Sequence, residues 1–149
     1  NEGGDFFSFS FIRNPWDRLY SAYMFLRQGG INIHDQRAYI EFLSKYKDFE
    51  DFVMNGLSKD MIMNIPHLIP QHNFICDNNN VILVDFIGRY ERLDDSIFQL
   101  EKLMDRRIVL SHHNKTVKDE YNIVYTDDMI SKVNEIYITD INLFGYSFK

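Results

Sequence analysis

Phe6-Phe7-Ser8-Phe9-Ser10-Phe11-Ile12 runs directly into Arg13-Asn14-Pro15-Trp16-Asp17-Arg18-Leu19-Tyr20-Ser21-Ala22-Tyr23, and the reading of this stretch decides the fold class. Its first seven residues place Phe7, Phe9 and Phe11 on one side and small or apolar residues on the other, as expected of a central strand covered on both faces. Asn14 then suits an N-cap, Pro15 the first helical position and Asp17 the positive end of the helix dipole. Trp16, Leu19, Tyr20, Tyr23 and Met24 form an apolar stripe opposite Arg18 and Ser21, and Gly29-Gly30 stops the helix. Strand, tight turn and helix together are a building block of α/β layers. A helix N-terminus offers backbone N–H groups to an anion, and Arg13 adds a fixed positive charge there. Ser21 lies eight residues after Arg13, so a bent junction would let both reach one phosphate. The bland alternative is a solvent-facing arginine beside an ordinary cap.

Working outward, Gln36 to Gly56 reads as one or two amphipathic helices through Tyr39, Phe42, Leu43, Tyr46, Phe49, Phe52 and Val53. Ile65-Pro66-His67-Leu68-Ile69-Pro70-Gln71 is expected to be an ordered loop, because no helix runs smoothly through both prolines. Phe74 to Cys76 and Val81 to Ile87 read as strands joined by the turn Asp77-Asn78-Asn79-Asn80. After Gly88-Arg89-Tyr90-Glu91 a helix is expected, starting near Asp94 or Asp95, with Ile97, Leu100, Leu103 and Met104 inward and Arg106-Arg107 at its negative end. Leu110 to Asn122 reads as a long polar loop, and a last helix runs from Thr126 through Met129, Val133, Tyr137 and Ile141 to Gly145.

Composition narrows the function. With 149 residues, 45% of them hydrophobic, the chain is expected to fold as one globular domain. Acidic residues outnumber basic ones by 22 to 16, for a net charge of −6, which argues against a general nucleic-acid binder. No apolar run approaches the roughly 20 residues of a membrane-spanning helix. The one cysteine, Cys76, can form no intrachain disulfide, which favours a cytoplasmic setting; in its apolar surroundings it is expected to behave as a small core residue. His67, His72 and Cys76 lack metal-site spacing, so no metal is expected, and GxSxG, GxxxxGK[ST] and GxGxxG motifs are absent.

With these residues in place, the chain resembles the Golgi-type and bacterial carbohydrate sulfotransferases, which transfer sulfate from 3′-phosphoadenosine 5′-phosphosulfate (PAPS). Four segments carry the resemblance. Phe11 to Tyr23 looks like the family's 3′-phosphate motif, which implies that Arg13 and Ser21 hold that phosphate. His67-Leu68-Ile69-Pro70-Gln71, followed by Asp85-Phe86-Ile87-Gly88-Arg89-Tyr90-Glu91-Arg92-Leu93, is similar to the middle block and implies that Tyr90 lies near adenine. Asn114-Lys115-Thr116 matches a family loop, bringing Lys115 toward the nucleotide, and Tyr125-Thr126-Asp127 through Tyr146 matches the C-terminal helix.

The resemblance implies an α/β, three-layer, P-loop-like fold with a mainly parallel central sheet, and a hydroxyl acceptor, either a glycan or a small molecule. Residues 1–149 then read as a single partial domain, because the family's 5′-phosphosulfate loop and usual catalytic base precede the Arg-Asn-Pro element. PAPS is the implied donor and PAP (3′-phosphoadenosine 5′-phosphate) the product. No catalytic residue is assigned by the resemblance, and His67 is the local candidate on the acceptor side. A noncatalytic domain retaining the fold is the alternative function, and the Golgi lumen the alternative compartment.

Overall fold

Ser8 and Asp85 open the sheet. The Asp85 carboxylate accepts hydrogen bonds from the Ser8 backbone N–H and hydroxyl at 2.7 and 2.9 Å. From there β1 (Phe9–Ile12) and β2 (Phe86–Arg89) run parallel, with Phe9 opposite Phe86 and Ile12 opposite Arg89. The computed structural model describes residues 6–111 and 120–148 of the chain. They belong to two compact units, Asn1–Arg13 with Gln71–Val117 and Asn14–Pro70 with Lys118–Lys149.

The first unit contains the sheet, a short helical turn α4 (His72–Ile75) and the helix α5 (Leu93–Met104), and the other α-helices lie in the second unit. Parallel pairing requires a crossover connection, which supports the α/β reading at its coarse level. Gly88 has a steric reason: a Cβ there would come within 2.3 Å of the Phe11 ring, so only glycine lets that ring lie across β2. The Ser96 hydroxyl accepts the Arg89 N–H at 2.9 Å and ties the start of α5 back to the strand end. Helix α5 buries Ser96 and Leu100, and it ends with Asp105 in the left-handed conformation at φ 50°.

Several expectations for this unit need correction. Phe6, Phe7 and Phe9 are exposed, so the first strand is shorter than expected and is not covered on both faces along its length among the described residues. Phe74 to Cys76 is not a strand: Phe74 and Ile75 lie in α4, and only a single antiparallel bridge joins Cys76 to Ile82. Three apolar residues satisfy either period, so their pattern could not discriminate helix from strand. The turn itself is as expected, with the Asp77 carboxylate accepting the Asn79 and Val81 N–H groups at 2.8 and 2.9 Å. The second strand begins at Phe86 rather than Val81, and Leu103 faces solvent. Cys76 is half-buried rather than a core residue of a strand.

In the second unit, α1 (Pro15–Arg27) starts and stops as the sequence indicates. Asn14 is its N-cap, and Gly29 and Gly30 follow its end with φ of +97° and +61°. Trp16, Leu19, Tyr20, Tyr23 and Leu26 are buried in an aromatic-rich core with Phe49, Phe52, Met129 and Val133. The Gln36–Gly56 region is broken into α2 (Ile33–Ala38) and α3 (Phe49–Asp51), each followed by a wider π-type turn. Asn32 and Asp48 cap the two helices. The proline-bounded segment contains the 3₁₀ turn Pro66–Leu68. After α6 (Tyr121–Val124), the expected last helix is two, α7 (Asp127–Ile136) and α8 (Ile138–Phe144), separated at Tyr137, where ψ is 25°. The Tyr137 hydroxyl donates to the Leu68 carbonyl at 2.7 Å, so the kink brings a buried phenol to the 3₁₀ turn. No helix among the described residues is long and apolar enough to cross a membrane.

Candidate functional site

Arg13 and Tyr90 are the residues immediately after the last paired positions of the two parallel strands, Ile12 and Arg89. The carboxyl ends of parallel strands are where open α/β sheets place their ligands. Here the two side chains meet: the Arg13 guanidinium carbon lies 4.1 Å from the centre of the Tyr90 ring. A guanidinium over an aromatic face is attracted by the ring quadrupole, which restricts a side chain that is otherwise rich in rotamers.

The backbone of Arg13 is held from a third direction. Gln71, 8% exposed, accepts the Arg13 N–H through Oε1 and donates from Nε2 to the Arg13 carbonyl, both at 2.8 Å. One buried amide therefore satisfies both polar atoms of the Arg13 backbone where the strand ladder ends. The sequence placed Gln71 only in a loop. Its signal was the side chain's matched donor and acceptor, but nothing along the chain shows that its partner lies 58 residues away.

The first turn of α1 differs from the expectation that its backbone N–H groups are offered to an anion. Pro15 has no N–H, and Asn14 Oδ1 accepts the Trp16 N–H at 3.0 Å and, more weakly, that of Asp17 at 3.5 Å. The Arg18 N–H goes to the Asn14 carbonyl at 2.8 Å, completing the turn. The cap thus uses donors that would otherwise face a phosphate, and the Asp17 carboxylate brings a like charge to that end. Recognition of an anion here falls to side chains. Ser21 sits half-buried on α1 two turns beyond the cap, within the second unit. Lys115 lies outside the described residues.

His67 occupies the 3₁₀ turn of the second unit. Its ring packs 5.3 Å from that of Phe25, and its Nε2 is 3.8 Å from Oδ1 of Asp35. Its Nδ1 is buried and has no hydrogen-bond partner among the described residues. Asp35 was not singled out from sequence; the structure places it in the first turn of α2. The phenols of Tyr125 and Tyr137 are both buried and donate to main-chain carbonyls, those of Trp16 and Leu68, at 2.7 Å. Burial raises the pKa of each, with the neighbouring Tyr137 adding to Tyr125 and Arg18 partly opposing the rise at Tyr137. They remain neutral donors and fix turns.

His72, Cys76, Asp77 and Asn80 line a polar cleft of about 260 Å³. No group of three or more His, Cys, Asp or Glu side chains among the described residues is arranged to hold a metal ion.

Carbohydrate sulfotransferase 14 of Danio rerio is 26% identical to the chain over 164 residues, an alignment that covers 95% of this chain. It covers 44% of the relative, so the chain spans less than half of that protein's length. No solved structure matches the chain. The profile of the Sulfotransferase family matches residues 2–147, which takes in the Arg13, Ser21, His67 and Tyr90 segments in one continuous match. With nearly its whole length inside that match, the chain belongs to the sulfotransferase family.

Proposed function

We propose that the chain is part of a single P-loop-like sulfotransferase domain that transfers a sulfuryl group from PAPS to a hydroxyl of a carbohydrate. The observation that carries this reading is the Arg13–Tyr90 pair at the carboxyl ends of the parallel strands, with the Arg13 backbone clamped by Gln71. A fixed guanidinium fork suits the 3′-phosphate, which is close to dianionic, and an adjacent aromatic ring suits a purine. In this reading Arg13 and Ser21 hold the 3′-phosphate, Tyr90 neighbours adenine and Lys115 approaches from its loop. The closed cap of α1 makes the side-chain charge of Arg13 the dominant attraction. The net charge of −6 is no obstacle, because a local cation decides binding at contact distance.

In the transfer, the acceptor oxygen bonds to sulfur while the bond from sulfur to the bridging oxygen breaks. That oxygen leaves with the electron pair on the 5′-phosphate of PAP. A base must take the hydroxyl proton, and we assign that role on the acceptor side to His67. The carbohydrate acceptor is supported by the name of the Danio rerio relative and by the resemblance of the four segments. A single cysteine leaves the fold independent of intrachain disulfides, which fits a cytoplasmic enzyme, with the Golgi lumen as the alternative.

The test is calorimetric titration with PAP and with AMP, which lacks the 3′-phosphate. PAP is expected to bind at least ten-fold tighter, and Arg13→Ala to remove that difference. Equal affinities for the two nucleotides would overturn the assignment of Arg13.

A further inference from the structure

The cleft of about 260 Å³ lies wholly within the first unit, between α4 and the turn that follows it. His72, Asn73 and Cys76 form one wall and Asp77, Asn78 and Asn80 the other. No lysine, arginine, aliphatic or phenyl side chain lines it. The main chain of the turn is already satisfied. Asp77 Oδ1 accepts the Asn79 and Val81 N–H groups, the Asp77 N–H donates to the Val81 carbonyl and the Asn80 N–H to the Asp77 carbonyl, the last two at 3.0 Å. The bridge between Cys76 and Ile82, with the Leu83 N–H donating to the Ile75 carbonyl at 2.8 Å, holds the turn against α4. Asn80 adopts φ 60°, a left-handed conformation that asparagine tolerates better than most residues. The walls are therefore fixed by backbone bonds, while the side-chain amides of Asn73, Asn78 and Asn80 and Asp77 Oδ2 make no hydrogen bond among the described residues. Asparagines at a turn are ordinary; three of them lining one cleft with their amides uncommitted are a prepared set of donors and acceptors.

We propose that this cleft binds one uncharged sugar ring of the acceptor glycan. The proposal rests on the reading of the chain as a carbohydrate sulfotransferase, and it adds a site in the first unit and the class of sugar that fits it. A side-chain amide presents a donor and an acceptor side by side, as two neighbouring ring hydroxyls do, and a carboxylate oxygen accepts from a third. Drug-sized ligands occupy pockets of about 300–1,000 Å³, so this smaller space suits a single ring and excludes a nucleotide. Charge sets the class. A carboxylate or sulfate on the ring would meet Asp77 with no lysine or arginine beside it, so a neutral sugar is preferred to an acidic one. The cleft also shares its helical turn with the nucleotide side of the unit, because α4 begins directly after Gln71, whose amide clamps the Arg13 backbone. Fixed walls mean that little ordering is lost when the ring enters.

Titration of the full-length protein, ¹⁵N-labelled in its asparagine side chains, with methyl glucoside, galactoside and mannoside reads the site directly, and alanine variants assign the signals. At least one hexoside is expected to shift the Asn73, Asn78 and Asn80 amides saturably, and the methyl uronide of the same configuration to bind several-fold more weakly. Asn73→Ala and Asn78→Ala should each weaken that hexoside by about five-fold, the equivalent of one ordinary hydrogen bond. Asn79→Ala, in the same turn but outside the lining, should leave it unchanged. The proposal is overturned if no hexoside saturates the shifts up to about 0.1 M, where a Kd of tens of millimolar would still register. It is equally overturned if glycerol gives the same shifts, if the uronide binds as well as the hexoside, or if Asn79→Ala weakens binding as much as the lining variants. With an oligosaccharide of the bound hexose as acceptor, Asn73→Ala and Asn78→Ala should raise the acceptor KM several-fold and leave kcat and the KM for PAPS in place; an unmoved acceptor KM removes the link to the acceptor. Hexoside binding by a full-length protein that transfers no sulfuryl group would overturn the sulfotransferase reading and leave the sugar site standing, whereas transfer without hexoside binding would overturn the sugar site alone.

Discussion

Replacing Gln71 by methionine tests the central feature of the site, because it preserves side-chain length and apolar packing while deleting both hydrogen bonds to Arg13. Each of those bonds is 2.8 Å long, and Gln71 is buried, so water cannot readily replace them. A typical intramolecular hydrogen bond contributes about 1 kcal/mol net, and a buried group left unpaired costs about 1–3 kcal/mol. Two backbone groups are affected, both only partly buried, so a loss of about 2–4 kcal/mol is expected. With a urea slope of about 1–3 kcal/mol/M, the unfolding midpoint should fall by on the order of 1 M at unchanged slope. PAP affinity should fall too, by less than in Arg13→Ala, because the guanidinium charge remains but its anchoring point is loosened. Gln71→Ala should cost more than Gln71→Met, since it also removes packing. A Gln71→Met midpoint within about 0.2 M of wild type would refute the reasoning, since that shift corresponds to only a few tenths of a kcal/mol.

The other expectations are narrower. Arg13→Ala should cost about 1.5–3 kcal/mol of PAP binding, as expected for a hydrogen bond to a charged group, and Arg13→Lys should recover only part of it because a point charge cannot reproduce the fork. Calorimetry on folded variants checks both, and a Lys variant equal to wild type would argue against a bidentate contact. Gly88→Ala forces a methyl group into the Phe11 ring, and overpacking of this kind costs about 1–3 kcal/mol; Phe11→Leu in the same chain should restore part of the loss in a double-mutant cycle. The Asp85 carboxyl has its pKa lowered, first by the Ser8 backbone N–H and then by the Ser8 hydroxyl. Its folded value lies below the unfolded one, so the stability it contributes is present above the unfolded pKa and lost as pH falls through the folded one. Ser8→Ala should therefore raise the Asp85 pKa and weaken the acid-side pH dependence, which carboxyl-detected NMR titration reads residue by residue. An Asp85 titration unmoved by Ser8→Ala would show that the hydroxyl contributes nothing.

What the sequence determined by itself is local. Asn14, Pro15, Asp17 and the Gly29-Gly30 stop define α1 because capping, a fixed φ and left-handed glycine are properties of a few adjacent residues. The Asp77–Asn80 turn was legible for the same reason. The order of the four resembling segments was equally readable, and it led to the family. Only the tertiary structure decided the rest. Phe74 to Cys76 had too few residues to express a period, so its neighbours chose a helical turn. The single long helix expected from Thr126 onward breaks at Tyr137, whose hydroxyl reaches the Leu68 carbonyl 69 residues away in sequence. Arg13 could be identified as a candidate from its own charge and position, but its stacking on Tyr90 and its clamp by Gln71 join residues 77 and 58 positions distant. Asp35 became visible only beside His67. Short-range preferences are written in the sequence of each element, whereas partners that meet across a strand register or a folded core are specified only by the packing of the chain.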